Sequence, residues 1–158
     1  MQIRIGYGID AHQLEAGVPL VVGGVSIPFP KGSQGHSDGD VLFHAIVDAI
    51  LGALALGDIG QHFPSDKAHL KDASSRKFLE HAFTLMTKKG FLIENIDATI
   101  ILQKPRLTSH ILKMRKNIAD ILSAALDQIS VKATTTDKLG FIGKGDGIAA
   151  TASVLIKK

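Results

Sequence analysis

Apolar residues alternate with others through residues 2–10, which also hold two glycines, and this period of two predicts a first strand. Pro19 to Ile27 predicts a short strand pair turning at Gly23-Gly24. Lys31 to Asp40 is rich in Gly, Ser and Asp, the composition of a loop. Val41 to Leu56 is almost wholly apolar and predicts a buried helix, and Gly57 to Ala73, broken by Gly57, Gly60 and Pro64, predicts irregular chain. From Ser74 to Lys89, Phe78, Leu79, Ala82, Phe83, Leu85 and Met86 fall at helical spacing, with Gly90 as the C-cap. Ile96 to Leu102 reads as a strand, and Thr108 to Leu126 as a second amphipathic helix capped by Thr108 or Ser109. Ile129 to Thr135 is a strand, Leu139 to Gly147 a glycine-rich turn, and Ile148 to Ile156 a closing strand. The order predicts one α+β domain over 1–158, with helices on one face of a mixed sheet.

Composition adds exclusions. The 158 residues suffice for one core, and 45% apolar with 21% charged residues is ordinary for a globular chain. The absence of cysteine excludes a disulfide scaffold, a thiol nucleophile and any sulfur-ligated zinc or iron–sulfur site, and fits a reducing compartment. The longest uncharged stretch of the most apolar segment runs from Ala49 to Gly57, far short of the roughly 20 residues a membrane helix needs. Met1-Gln2-Ile3-Arg4 shows no basic flank leading into an apolar run, so no secretory signal is expected. Aromatics are 5% and do not interleave with a basic stripe, so no nucleic-acid partner is expected. The net charge of +3 conceals a split: residues 1–66 carry −5 and residues 67–158 carry +8. Such a split suits a cation site beside an anion site, and equally suits helices with solvated lysines.

Asp10 and His12 lie two apart at the end of the first strand, so both side chains point to one face. A carboxylate beside an imidazole suits Zn²⁺, although such pairs are also common on surfaces. His44 lies inside the most apolar helix, in a stripe with Asp40 and Asp48 at i, i+4 and i+8. By itself it reads equally as a buried histidine satisfied by a neighbouring Asp. As a third ligand, with Asp40 or Asp48 orienting its ring, it would complete the three-ligand, open-position arrangement of a catalytic zinc. His62, His69, His81 and His110 sit in polar or amphipathic contexts and receive no role.

Gly35-His36-Ser37-Asp38-Gly39-Asp40 runs into the buried helix, where free N–H groups and the helix dipole suit an anion; Asp38 and Asp40 suit capping as well. Thr134-Thr135-Thr136-Asp137 ends a strand with hydroxyls able to grip phosphate oxygens and a carboxylate for a second divalent ion. Leu102 to Leu107, with Lys104, Pro105 and Arg106, forms either a pocket rim or an ordinary strand-to-helix turn. Gly140 to Gly147 is not a P-loop, because Gly145 follows Lys144, and Gly6-Tyr7-Gly8 lacks the third glycine of a dinucleotide fingerprint.

Together these segments resemble the 2-C-methyl-D-erythritol 2,4-cyclodiphosphate synthase family of the non-mevalonate isoprenoid pathway. The matching stretches, in the family's order, are Gly8-Ile9-Asp10-Ala11-His12, Gly35-His36-Ser37-Asp38-Gly39-Asp40, Leu56-Gly57-Asp58-Ile59-Gly60, Phe63-Pro64, Lys132-Ala133-Thr134-Thr135-Thr136 and Lys138-Leu139-Gly140-Phe141. The resemblance implies a cytoplasmic homotrimer with sheets around the three-fold axis and active sites between subunits. It implies that Asp10, His12 and His44 bind zinc, that His36 and Thr135 stabilise the transition state, and that His36 and Ser37 meet substrate phosphates. Asp58, Ile59 and Gly60, with the 63–67 loop including Phe63 and Asp66, would receive the methylerythritol part. Leu102, Pro105, Arg106, Leu107, Ala133, Thr134, Thr135 and Thr136 would receive the cytidine diphosphate of a neighbouring site. Asp137 would hold Mg²⁺ or Mn²⁺ on the diphosphate, and Phe141 and Lys144 would line an axial cavity for an isoprenoid diphosphate.

Three positions depart from the family. Asp137 replaces Glu, one methylene shorter; Ser65-Asp66-Lys67 replaces a more acidic stretch; Lys144 replaces Arg and loses its bidentate fork. The implied reaction joins the substrate's own 2-phosphate to its β-phosphorus and expels CMP, so no protein nucleophile is needed. A metal-dependent phosphoesterase with water as nucleophile, or a non-catalytic trimer binding isoprenoid diphosphates, are the competing readings.

Overall fold

The computed structural model describes residues 1–35, 37–64 and 73–158. Its centre is a five-stranded mixed sheet in the order β4-β1-β7-β5-β6. β1 (Ile3–Ala16) and β7 (Gly147–Lys157) pair antiparallel along most of their length, from Ile3↔Lys157 to Gln13↔Gly147. β5 (Leu92–Ile101) runs antiparallel to β7 and parallel to β6 (Ile129–Thr134). A parallel pair needs a crossover, and α4 (Ile111–Leu122) supplies it. α1 (Val41–Ala53) lies on β1 and β7, α4 packs on β6, and α3 (Arg76–Lys88) bridges the two helices. The α+β class with helices on one face is therefore as the sequence pattern predicts.

The position of α1 is dictated by two glycines. A Cβ added at Gly6 would lie 1.7 Å from the Ala49 carbonyl oxygen, and one at Gly8 would lie 2.0 Å from that of Ala45. Only glycine lets helix backbone approach strand backbone so closely. The helix then buries Val41, Leu42, Phe43, Ile46, Ile50 and Leu51. On the opposite face of the sheet, Ile3, Ile5, Tyr7 and Ile9 remain between 52% and 74% exposed.

The hairpin of β2 (Leu20–Val22) and β3 (Val25–Ile27) turns at Gly23-Gly24, both with positive φ, as a two-residue turn of primed type requires. Its two glycine N–H groups donate to the fully buried Asp40 carboxylate, at 2.9 and 2.7 Å. Asp40 also accepts from the Phe43 N–H (3.1 Å) as N-cap of α1. One carboxylate thus ties the hairpin to the helix.

Several boundaries differ from the sequence pattern. β1 continues to Ala16 because β4 (Lys31–Ser33), inside the expected loop, pairs with Leu14–Ala16. α1 stops at Ala53, where Ala55 takes a positive φ and the Leu56 N–H turns back to Leu51 O. A short α2 (Ile59–His62) interrupts the irregular stretch, capped by Asp58. α3 ends in a Schellman motif: Gly90 N–H bonds Thr87 O and Phe91 N–H bonds Met86 O. β5 starts at Leu92, four residues early, across a bulge between Ile93 and Asn95. Neither Thr108 nor Ser109 caps α4; both lie in a 3-10 turn (Thr108–His110) whose own N-cap has no side-chain bond. A single helical turn, α5 (Gly140–Gly143), sits in the glycine-rich run.

Replacing Asp40 by Ala removes the acceptor for three backbone N–H groups. Each orphaned buried donor costs about 1–3 kcal/mol, so Asp40→Ala is expected to lower unfolding free energy by about 3 kcal/mol or more in urea denaturation.

Candidate metal centre

The strand period sets Asp10 and His12 side by side on the helix face of β1, and α1 presents His44 to them. Asp10 Oδ2 lies 2.8 Å from His12 Nε2 and 3.0 Å from His44 Nδ1, and the two imidazole nitrogens are 3.2 Å apart. Ligands bonded to a tetrahedral zinc at about 2.0–2.1 Å stand roughly 3.3 Å from one another, so the three atoms nearly span one face of such a site. Among the described residues this is the one cluster of three such groups whose donor atoms converge, all within 4.8 Å. One carboxylate oxygen and two imidazole nitrogens suit zinc, and a fourth position stays open for another oxygen.

The hydrogen bonds around His44 fix which nitrogen is free. The Asp38 carboxylate only accepts, so the Ser75 hydroxyl, in close contact with its Oδ1, donates to it. Ser75 Oγ in turn accepts from His44 Nε2–H at 2.8 Å. The Nδ1 lone pair is thereby aimed at Asp10 and His12. The Ser75 N–H also donates to Asp38 Oδ2 (3.1 Å), and Ser37 Oγ lies 3.2 Å from the same His44 nitrogen. Ser75 is wholly buried at the start of α3, and its role is not visible in sequence, where it reads as an ordinary residue at a helix start.

This corrects the expectation that Asp40 or Asp48 orients His44. Asp40 is consumed by Gly23, Gly24 and Phe43, and Asp48 accepts the Ile59 N–H at 2.7 Å, tying α1 to α2. Spacing placed all three on one stripe of the helix; the neighbours of each decide its partner. In the loop before α1, the described hydrogen bonds support the capping alternative. The N–H groups of Asp38, Gly39, Asp40, Phe43 and His44 bond Ala73 O, Ser37 Oγ, Asp38 Oδ1, Asp40 Oδ1 and Asp40 O.

Burial raises the Asp10 carboxyl, but the hydrogen bond from His12 and the positive charge the two neighbouring imidazoles carry when protonated outweigh it and hold it at about 2. Burial lowers the His12 imidazole, yet the Asp10 hydrogen bond and charge prevail and leave it above its ordinary value. The cluster thus favours an anionic carboxylate beside a positive charge, which a proton or a cation can supply.

The segment expected to take the methylerythritol part stands against this centre. Asp58 caps α2 by accepting from Gln61 N–H at 3.0 Å. Phe63 stacks on Phe78 (centroids 4.3 Å apart), and Phe78 lies 5.9 Å from the His44 ring. His36, Asp66 and the rest of Ser65-Asp66-Lys67 lie outside the described residues. A cavity of about 300 Å³ gathers Leu102, Pro105, Arg106, Leu107, Ala133, Thr134 and Thr135. Thr136, Asp137 and Phe141 line a second, of about 510 Å³. Lys144 opens instead onto a third, of about 320 Å³, with Lys31, Lys104 and Lys138, so one chain does not bring Phe141 and Lys144 into the same cavity. The row Ala11–Ala149–Ile101–Thr134 crosses the sheet at the end holding both the metal cluster and the first cavity. Three strand spacings separate β1 from β6 there, roughly 14 Å.

Fold and site define an α+β protein with a five-stranded mixed sheet and a two-stranded hairpin, whose main sheet carries at one end a candidate three-ligand metal site and a cavity bordered by threonines and an arginine. The chain belongs to the YgbB family, whose model matches residues 3–157. It is 55% identical over 155 residues to the 2-C-methyl-D-erythritol 2,4-cyclodiphosphate synthase of Bacillus velezensis, covering 98% of both chains. It is 56% identical over 156 residues to that of Geobacter sulfurreducens, covering 99% of both. Among solved structures, the CDP complex of IspF from Plasmodium falciparum matches at 39% identity and TM-score 0.86, over 98% of this chain and 95% of that one. The bifunctional IspDF of Campylobacter jejuni matches at 43% identity and TM-score 0.95; the match covers 99% of this chain, which spans 42% of that one. The family read from the ordered motifs is borne out.

Ser75→Ala removes the partner that orients His44. It is expected to weaken zinc affinity about 10–100-fold in competition with a chromophoric chelator, with the fold retained. Zinc and protons compete for His12, so affinity is expected to fall on acidification from above the ordinary imidazole value of 6.5. In metal-free protein the signs differ. The raised His12 stabilises the fold below about pH 6.5 and loses that contribution as pH climbs through its folded value. The depressed Asp10 contributes above 3.8 and loses its contribution as pH falls toward about 2. Thermal melts across pH, with and without chelator, separate the two regimes.

Proposed function

We propose that residues 1–158 act as one cyclodiphosphate synthase domain. It converts 4-diphosphocytidyl-2-C-methyl-D-erythritol 2-phosphate to 2-C-methyl-D-erythritol 2,4-cyclodiphosphate and CMP. An oxygen of the 2-phosphate bonds to the β-phosphorus, the bond from that phosphorus to the bridging oxygen breaks, and CMP leaves with that oxygen. The observation that carries the reading is the convergence of Asp10, His12 and His44. The names of the relatives and the CDP complex of one of them support the substrate class.

Zinc held by Asp10, His12 and His44 supplies a Lewis acid for a phosphoryl oxygen. The chain's own residues position the reactants. Ser75 and Asp38 keep His44 Nδ1 free for the ion. Asp58, Ile59, Gly60, Phe63 and Asp66 receive the methylerythritol part, and Ser37 and His36 meet its phosphates. Leu102, Pro105, Arg106, Leu107, Ala133 and Thr134 receive the nucleotide, with Thr135, Thr136 and Asp137 at its diphosphate. Holding nucleophile and phosphorus in line contributes on the order of 7–11 kcal/mol in well-oriented intramolecular reactions. Asp137 would hold a Mg²⁺ or Mn²⁺ ion, which would supply positive charge at the diphosphate.

In this reading the chain works as a cytoplasmic homotrimer with sheets facing the three-fold axis. The exposed Ile3, Ile5, Tyr7 and Ile9 support burial of that face against further copies, and a neighbouring copy supplies the cytidine cavity to each metal centre. Phe141 and Lys144, in different cavities of one chain, meet an isoprenoid diphosphate only across copies.

Incubation with the diphosphocytidyl substrate, followed by phosphorus NMR, is expected to show CMP and a cyclic diphosphate in equal amounts; a linear phosphate product contradicts cyclisation. His44→Ala is expected to lose bound zinc and slow CMP release by at least about 100-fold, the scale of several kcal/mol of charge stabilisation.

A further inference from the structure

A second pair of imidazoles meets outside the centre described above. His62 ends α2 and His81 stands on α3. His62 Nδ1 and His81 Nε2 face each other at 3.3 Å, with ring planes at 60°. His62 Nε2 lies 2.9 Å from the Leu56 carbonyl, which only accepts, so that nitrogen carries the hydrogen and Nδ1 carries a lone pair. Binding one ring nitrogen to a backbone carbonyl is how proteins orient a metal-ligating histidine through the other. The separation fits as well: two nitrogens about 2.0–2.1 Å from one tetrahedral ion stand roughly 3.3 Å apart.

We propose that His62 and His81 form a second metal site, a two-imidazole chelate that takes a borderline divalent cation such as Zn²⁺ and staples α2 to α3. Water or an exogenous anion fills the other positions. Phe63 fills the space beside the pair, 5.1 Å from His81 and 4.3 Å from Phe78. An ion here fixes the segment Asp58–Phe63 against the helix that carries Ser75. Occupancy therefore sets the rigidity of one wall of the first site without touching its ligands. The proposal does not depend on the reaction assigned above.

The test uses tag-free protein dialysed against increasing zinc, with metal per chain counted by elemental analysis. Wild type is expected to bind one ion and then a second, with the melting temperature rising again as the second binds. His81→Gln and His62→Gln are each expected to stop at one and to lose the second rise, while His81→Gln keeps its CMP release at one zinc per chain. His44→Ala is expected to lose one ion and keep the other. A wild-type count that stays at one overturns the proposal whatever the variants do. So does a second ion that survives in His62→Gln or in folded His81→Gln.

Discussion

The approach of α1 to β1 at Gly6 and Gly8 is the contact on which the rest of the molecule depends. It is a backbone-to-backbone contact, with helix carbonyls where side chains would otherwise stand. Two consequences follow from one geometry. The most apolar helix is sealed against the sheet, which builds the core. The same helix, entering beside the end of β1, lowers His44 onto Asp10 and His12. The chemistry is therefore held by a backbone-to-backbone contact between helix and strand, and such rigidity keeps ligand atoms at metal-binding distance.

Each acidic residue near α1 has a separate task. Asp40 satisfies three N–H groups and joins hairpin to helix; Asp48 joins α1 to α2; Asp38 holds Ser75, which holds His44. Among the described residues, Asp10 is the carboxylate left to face the two imidazoles directly. This division explains why four carboxylates in the acidic half of the chain do not make four ligands. A carboxylate engaged by backbone N–H groups is open to a cation only if those bonds are displaced, and at Asp40 burial still pushes the carboxyl up to about 6 despite them.

What the sequence revealed follows the range of the interactions. The Gly23-Gly24 turn, the apolar helix, the Gly90 cap and the shared face of Asp10 and His12 are local, and each was legible. Strand β4 was not, because Lys31-Gly32-Ser33 has no strand pattern of its own and forms only through its partner β1. Asp40 caps α1, one of the two roles its sequence context suited, while the reading of Asp40 or Asp48 as the partner of His44 failed because helical spacing gives a shared face but not the neighbour across it. Ser75 was missed because its partners, Asp38 and His44, are 37 and 31 residues away in the chain. The convergence of residues 10, 12 and 44 rested on resemblance, and its physical cause lies in two glycines that sequence reading took only as part of a strand.

X-ray absorption at the zinc edge, on protein carrying one zinc per chain, bears most directly on the central claim. The account predicts a four-coordinate shell of nitrogen and oxygen donors, with outer-shell scattering from two imidazoles and none from sulfur. A six-oxygen shell, or a spectrum without imidazole scattering, would contradict it.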